Sequence, residues 1–120
     1  MIWQIDKGKP VCPQLAGQIS AGIANGLYKP NDKLQSVREI ALEAGVNPNT
    51  VQKSFELLES EGLVYSVRGT GWFVSDNPEV SARWKNEITK EKVELFFGQM
   101  KSIGYTIPEI KKIGEEYDNE

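Results

Sequence analysis

Three closely spaced helix signals restrict the possible folds of this chain most strongly. Ser36 and Glu39 form an S-x-x-E capping box, which begins a helix by satisfying two backbone N–H groups that lack intrahelical partners. Gly45 ends that helix, and Asn47 followed by Pro48 begins another almost at once. Two helices joined by so short a turn are predicted to form a helix-turn-helix.

Apolar residues at helical spacing extend this arrangement on both sides of the turn. A first helix is predicted from about residue 13 to residue 25, and the helix after the turn is predicted to stop at Gly62. The residues that carry the two apolar stripes are Leu15, Ile19 and Ile23 in the first helix and Val51, Phe55 and Leu58 in the later one. The stripes predict three helices packed around one core.

A β-hairpin is predicted after the third helix. Residues 63–67 and 72–74 are rich in β-branched and aromatic side chains, and the intervening residues 68–71 (RGTG) form a turn signal. Lys33 and Leu34 are expected to add a third short strand. A hairpin in this position is called a wing, so the fold class is mainly α with a small β-hairpin wing, a winged helix-turn-helix.

A turn-rich stretch, residues 75–78 (SDNP), separates this region from a helical tail. We therefore predict two parts, a winged helix-turn-helix at residues 1–75 and a two-helix appendage at residues 76–120. In the tail, one long helix is expected from about residue 80 to residue 102. A second capping box, Thr106 with Glu109, begins a final helix that is predicted to reach about residue 117.

The missing residue types exclude much enzyme chemistry. The chain has no histidine and one cysteine, Cys12, so it lacks a Ser-His-Asp or Cys-His pair, an internal disulfide and a Cys/His zinc site. It also shows no glycine loop that would cradle a phosphate. We expect neither an enzyme nor a cofactor or metal. No apolar run approaches a membrane span and residues 1–9 lack an apolar signal core, so a cytoplasmic protein is expected.

The formal charge of −3 argues at first against a nucleic-acid partner, but it is unevenly distributed. Residues 1–75 contain seven acidic and seven basic side chains, whereas residues 76–120 contain ten acidic and seven basic ones. The acidic excess therefore belongs to the tail. We expect modest non-specific affinity for DNA, with specificity and dimer avidity supplying most of the useful binding.

The first half of the third helix has the chemistry of a DNA-reading surface. Residues 47–54 (NPNTVQKS) include no acid, and the acids Glu56, Glu59 and Glu61 follow in the second half. Amide, hydroxyl and ammonium groups can address base edges or phosphates, and a helix N-terminus carries partial positive charge. Structural alternatives exist for single residues, since Asn47 is first of all a cap and Arg38 could be a solvated cation.

Several motifs at consistent spacing resemble the GntR family of bacterial transcription regulators, over about residues 10 to 75. The matching segments are residues 33–41 (KLQSVREIA), 45–53 (GVNPNTVQK), 58–64 (LESEGLV) and 68–74 (RGTGWFV), with Pro10 and Gln14 ahead of them. Two positions depart from the family pattern: Gln35 replaces a proline, and Asn31 replaces a glycine. Asparagine also tolerates left-handed backbone geometry.

The resemblance implies DNA roles for Arg38, Asn49, Thr50, Gln52 and the wing tip at Arg68 and Gly69. Position on the same candidate face adds further residues, including Gln35, which could contribute a contact of its own. The complete predicted set is Gln35, Ser36, Arg38, Asn47, Asn49, Thr50, Gln52, Lys53, Arg68, Gly69 and Thr70.

The short helical tail resembles that of the YtrA-like subfamily, whose members dimerise through two short helices. The apolar surface of the long helix is wider than one packing stripe requires, so one side can meet a second subunit. The residues predicted to form this surface are Trp84, Ile88, Leu95, Phe96, Met100 and Ile103. The alternative is a tail that folds back on its own domain.

The leading functional hypothesis is a homodimeric, sequence-specific transcription regulator, a repressor that binds an inverted-repeat operator in double-stranded DNA. The alternative is a winged-helix module that binds another protein and has no salt-dependent affinity for DNA. No residue pattern indicates a small-molecule effector.

Overall fold

The computed structural model describes residues 2–119, which form five helices and one two-stranded sheet. The elements in chain order are α1 (Val11–Ala24), α2 (Val37–Ala44), α3 (Pro48–Ser60), β1 (Val64–Val67), β2 (Gly71–Val74), α4 (Pro78–Ser102) and α5 (Ile107–Asp118). This architecture confirms the predicted fold class, mainly helical with a small hairpin that serves as the wing.

The chain forms two compact units that divide inside α4. The N-terminal unit runs to Lys85, and the C-terminal unit begins at Asn86. The predicted boundary between residues 75 and 76 lies earlier, in the loop before α4. The two differ because Val80 and Trp84, in the first turns of α4, pack against the core of the N-terminal unit.

Helix α3 occupies the centre of the N-terminal unit. It packs against α1, α2 and β1, and its predicted apolar stripe, Val51, Phe55 and Leu58, has no exposed surface. The Phe55 ring stacks on Trp72 of β2, with 5.1 Å between ring centres and 5° between ring planes. The burial predicted from the spacing of these residues is therefore confirmed. Because the apolar stripe faces the core, the opposite side of α3 is exposed.

The wing is an antiparallel hairpin in which Val64 of β1 lies opposite Val74 of β2. On the other side of β2, Lys33 forms a single β-bridge with Phe73, and the Leu34 N–H donates to the Trp72 carbonyl at 2.9 Å. The expected third strand is thus reduced to one bridge. Asn31, just before it, has φ 66°, which agrees with the left-handed geometry expected there.

Both predicted capping boxes are present. At the start of α2 the Glu39 N–H donates to the Ser36 hydroxyl at 3.1 Å, and the Ser36 N–H donates to the Glu39 carboxylate at 3.1 Å. Hydrogen bonds from the backbone and then the hydroxyl of Ser36 lower the pKa of the Glu39 carboxyl from its ordinary value of 4.5. Thr106 and Glu109 repeat the arrangement at the start of α5.

The lowered pKa of Glu39 predicts a pH-dependent contribution to stability. A carboxyl whose pKa is lower in the folded than in the unfolded chain stabilises the fold fully above pH 4.5 and loses this contribution as pH falls through the folded pKa. We expect Glu39→Gln to be less stable than the wild type at neutral pH, and the difference to shrink below pH 4.5. Urea denaturation of both proteins across this pH range measures the difference in the free energy of unfolding. A difference that does not change with pH would contradict the prediction.

Candidate nucleic-acid interface

The outer face of α3 presents polar side chains at helical spacing. Asn49, Gln52, Lys53 and Glu56 follow an i, i+3, i+4, i+7 pattern on the side opposite the buried stripe, and all but the half-buried Gln52 are exposed. We call these four residues the α3 face. Because the rest of the unit packs behind α3, this face is available to a groove of DNA.

The beginning of α3 is held by its cap. The Asn47 side-chain oxygen accepts a hydrogen bond from the Asn49 N–H at 2.8 Å, and the Thr50 N–H donates to the Asn47 carbonyl at 2.9 Å. This confirms Asn47 as the N-cap. Its side-chain oxygen already accepts this capping bond, whereas no hydrogen bond within residues 2–119 engages its NH₂, so the NH₂ is the better placed group for the predicted DNA contact.

One acid lies on the α3 face itself. The Gln52 amide donates to the Glu56 carboxylate at 3.3 Å, so the two side chains lie together one turn apart. The sequence pattern predicts that the acids in the second half of α3 lie away from the DNA-reading surface, but Glu56 lies on it. The structure limits the acid-free part of the face to Asn49, Gln52 and Lys53.

The short turn between α2 and α3 determines how α3 is oriented relative to α2. Gly45 has φ 67°, a conformation that favours glycine, and the Val46 N–H donates to the Ala41 carbonyl at 3.1 Å. This closes the end of α2 and leads the chain directly into the Asn47 cap. Arg38, in the first turn of α2, is exposed.

Gln35 makes a contact that the sequence did not predict. Its side-chain NH₂ donates to both carboxylate oxygens of Glu43, at 2.8 Å and 2.9 Å, and this ties the entry of α2 to the helix body. Burial and the nearby charge of Glu43 raise the pKa of the Tyr28 phenol. A DNA contact from Gln35 stays a prediction, and it would require the amide to leave Glu43.

The wing tip is a tight turn at residues 67–70. The Thr70 N–H donates to the Val67 carbonyl at 2.9 Å, and Gly69 has φ 77°, so glycine is required by the backbone as well as by the resemblance. Arg68, Gly69 and Thr70 are all exposed there. The turn therefore presents the Arg68 side chain at the outer end of the hairpin.

An acidic side chain of α3, Glu59, positions the wing. The Glu59 carboxylate accepts hydrogen bonds from the Ser66 N–H at 3.2 Å and from the Ser66 hydroxyl at 3.1 Å. This links the end of α3 to β1 and so relates the wing tip to the α3 face. Sequence reasoning missed the contact because the two residues share no periodic pattern.

Three cations of the predicted DNA-binding set are exposed: Arg38 in α2, Lys53 in α3 and Arg68 in the wing. Within residues 2–119, none of the three forms an ion pair with a carboxylate. Their charges therefore remain available to phosphates. The Ser36 hydroxyl accepts from the Glu39 N–H in the capping box, so a DNA contact from Ser36 stays a prediction.

The residues predicted to pair subunits fall into two groups. Leu95, Phe96 and Ile103 are exposed in the C-terminal unit. Trp84, Ile88 and Met100 are half-buried, and Trp84 packs against the core of the N-terminal unit. The exposed group is therefore the part of the predicted surface that is open to a partner.

Residues 2–119 contain no cluster of three or more acidic or cysteine side chains that could hold a metal ion. The helices described there are also too polar or too short to cross a membrane.

Comparison with known proteins places these features in a family. The model of the bacterial regulatory proteins of the gntR family matches residues 13–74, which contain the helix-turn-helix and the wing. The HTH-type transcriptional regulator YhcF of Bacillus subtilis is 38% identical over 107 residues, covering 89% of this chain and 88% of YhcF. The HTH-type transcriptional repressor YtrA of Bacillus subtilis is 34% identical and covers 93% of this chain and 86% of its own.

Solved structures agree with this placement. A GntR family transcriptional regulator from Listeria monocytogenes has a TM-score of 0.85 and 33% identity, and the match covers 93% of this chain and 98% of that one. The DNA-binding domain of AraR, solved in complex with operator ORE1, has a TM-score of 0.54 and 32% identity, covering 62% of this chain and 95% of that one.

The expectation that this chain is not an enzyme agrees with these matches, because the relatives are named transcriptional regulators. The family match lies on the helix-turn-helix and the wing, and the match to YtrA extends through the helical tail. The chain therefore belongs to the GntR family of bacterial regulatory proteins, and within that family it is similar to YtrA over most of its length.

Proposed function

We propose that this GntR-family regulator represses transcription by binding an inverted-repeat operator as a homodimer. The observation that carries the proposal is the polar, largely acid-free start of an exposed α3 face within a helix-turn-helix that matches the family. A DNA partner implies a cytoplasmic location. No described feature indicates an effector.

In this proposal the α3 face enters the major groove. The amide groups of Asn49 and Gln52 suit adenine edges, Lys53 suits guanine or a phosphate, and the Thr50 hydroxyl can address either. The free N–H groups and the partial positive charge at the start of α3 favour an approaching phosphate. Base contacts from α3 would then give sequence specificity, and phosphate contacts from residues outside α3 would orient the protein on the DNA.

Cations around the α3 face would hold the DNA backbone. Arg38 lies in the first turn of α2, next to the Ser36 cap, and Arg68 stands at the tip of the wing. Each carries a charge that no carboxylate within residues 2–119 neutralises. The Glu59 contact to Ser66 would keep the wing at a fixed distance from α3 when DNA binds.

A second copy of the chain would supply the other half-site. Isologous pairing of the exposed tail residues Leu95, Phe96 and Ile103 would relate two α3 helices by a two-fold axis, as an inverted repeat requires. Burial of these apolar side chains supplies the driving force for association.

Substitution of the two side chains Arg38 and Thr50 tests the assigned surface. We expect Arg38→Ala and Thr50→Ala each to weaken operator binding by about tenfold, the size of a lost phosphate or base contact. Neither should unfold the protein, since Arg38 is exposed and the Thr50 backbone bond to Asn47 does not involve its side chain. Footprinting on the DNA upstream of the gene first locates the operator. The affinity of each variant is then measured by titrating this operator with protein at a fixed salt concentration.

The matched control is Arg83→Ala, which removes the same charge from an exposed position in α4. Unchanged affinity in the Arg38 and Thr50 variants would reject the assigned face. A wild-type protein whose DNA affinity is weak and insensitive to salt would instead favour the protein-binding alternative, because phosphate neutralisation produces a steep salt dependence.

A further inference from the structure

A cation from outside the helix-turn-helix lies beside the turn that leads into α3. The Lys7 Nζ is 3.6 Å from the position that a β-carbon would occupy at Gly45. Gly45 is two residues before the Asn47 cap of α3. The N-terminal segment therefore places a positive charge next to the start of the DNA-reading helix, although the family match begins only at residue 13.

The segment that carries Lys7 is an ordered turn, residues 6–9. The Lys9 N–H donates to the Asp6 carbonyl at 3.2 Å, and the Gly8 N–H donates to the Asp6 carboxylate at 2.9 Å. The Asp6 carboxylate is thus engaged in holding the turn.

Gln14 of α1 fixes this turn to the fold. Its side-chain oxygen accepts from the Asp6 N–H at 2.8 Å, and its NH₂ donates to the Asp6 and Pro10 carbonyls, both at 2.9 Å. Just upstream, Trp3 and Ile5 pack against the core. Anchoring on both sides means that little backbone entropy is lost when the Lys7 side chain meets a ligand.

The turn also lies at the end of α1 that is close to the first half of α3. The Ser54 hydroxyl of α3 donates to the Cys12 carbonyl in the first turn of α1 at 3.3 Å. The start of α1 therefore adjoins the first half of α3, which is the half that carries the acid-free residues. Lys7, the α2–α3 turn and the beginning of α3 share one end of the N-terminal unit.

We propose that Lys7 binds a DNA backbone phosphate that flanks the base pairs read by α3. The inference rests on the proposed function. Within residues 2–119 the Lys7 ammonium has no hydrogen-bond or ion-pair partner, and the neighbouring Asp6 carboxylate accepts from the Gly8 N–H. A lysine on an anchored turn beside the reading helix adds affinity and sets register without reading sequence. In a unit with equal numbers of acids and bases, one placed cation changes the local potential substantially.

The test is Lys7→Ala, titrated with the operator and with a mixed-sequence duplex over a range of salt concentrations. We expect about fivefold weaker binding per subunit and a salt-dependence slope smaller by about one per subunit. The loss should be similar on both duplexes, because a phosphate contact carries no sequence information. Lys7→Arg should restore the slope.

The matched control is Lys29→Ala. Lys29 is an exposed lysine of the same unit in the loop after the other end of α1, and its loss should leave affinity and slope unchanged. If Lys7→Ala binds like the wild type while Arg38→Ala is weakened, the phosphate contact is wrong and the proposed function stands. A loss confined to the operator also overturns the contact. Absence of salt-dependent DNA binding by the wild type overturns both proposals.

Discussion

Replacing Phe55 with alanine is expected to destabilise the N-terminal unit by about 3–5 kcal/mol, the range for removal of a buried phenylalanine. Phe55 has no exposed surface and lies on the central helix. Its ring stacks on Trp72, so the substitution removes the contact between α3 and β2 as well as leaving a cavity. The total free energy of unfolding of a small domain is about 5–15 kcal/mol, so this loss would be a large part of its stability.

Urea denaturation followed by circular dichroism measures the loss for Phe55→Ala. Tryptophan fluorescence provides a second probe, since Trp72 lies against the substituted ring. The control is Leu57→Ala on the same helix. Leu57 is 39% exposed, and we expect Leu57→Ala to lower the free energy of unfolding by less than about 2 kcal/mol. Equal losses in the two variants would show that Phe55 does not hold the core as the structure indicates.

The elements of the N-terminal unit were predictable because their signals are local. A capping box, a glycine stop and an asparagine followed by proline lie within a few residues of the helix ends that they determine. The burial of Val51, Phe55 and Leu58 followed from spacing alone. The residues of the α3 face followed in turn, since a helix that buries one side exposes the other.

The start of α4 differs from the prediction for a physical reason. The start of α4 was expected at about residue 80, but the helix begins at Pro78. The Asn77 side chain accepts a hydrogen bond from the Glu79 N–H at 3.0 Å, and proline suits the first helical position. The same residues also resemble a turn in sequence, because asparagine and proline favour both structures.

Polar side-chain contacts between separate segments were not predictable, even where the two residues lie close in sequence. Glu59 with Ser66, Gln35 with Glu43, and Gln14 with residues 6–10 are hydrogen bonds without a periodic signature. Each depends on which elements the fold brings together. For this reason the sequence indicated Arg38 and Arg68 as members of the interface but did not indicate Lys7.

Replacing Phe96 with aspartate is expected to convert the proposed dimer into monomers and to weaken operator binding by about 10²–10⁴-fold. Phe96 is 46% exposed and lies beside Leu95, which is 62% exposed. A carboxylate in an apolar interface would be desolvated without a partner, which is costly. Once the subunits separate, each binds one half-site and the gain from linked binding is lost.

Sedimentation velocity measures the oligomeric state of Phe96→Asp, and a titration of the footprinted operator measures its affinity. The N-terminal unit should remain folded, because Phe96 is not part of its core. Leu27→Asp is the control, since it adds the same charge at an exposed apolar residue of the N-terminal unit, and it should stay dimeric. A dimeric Phe96→Asp protein would contradict the proposed pairing surface. A monomeric variant with undiminished affinity would show instead that one α3 helix suffices for the operator.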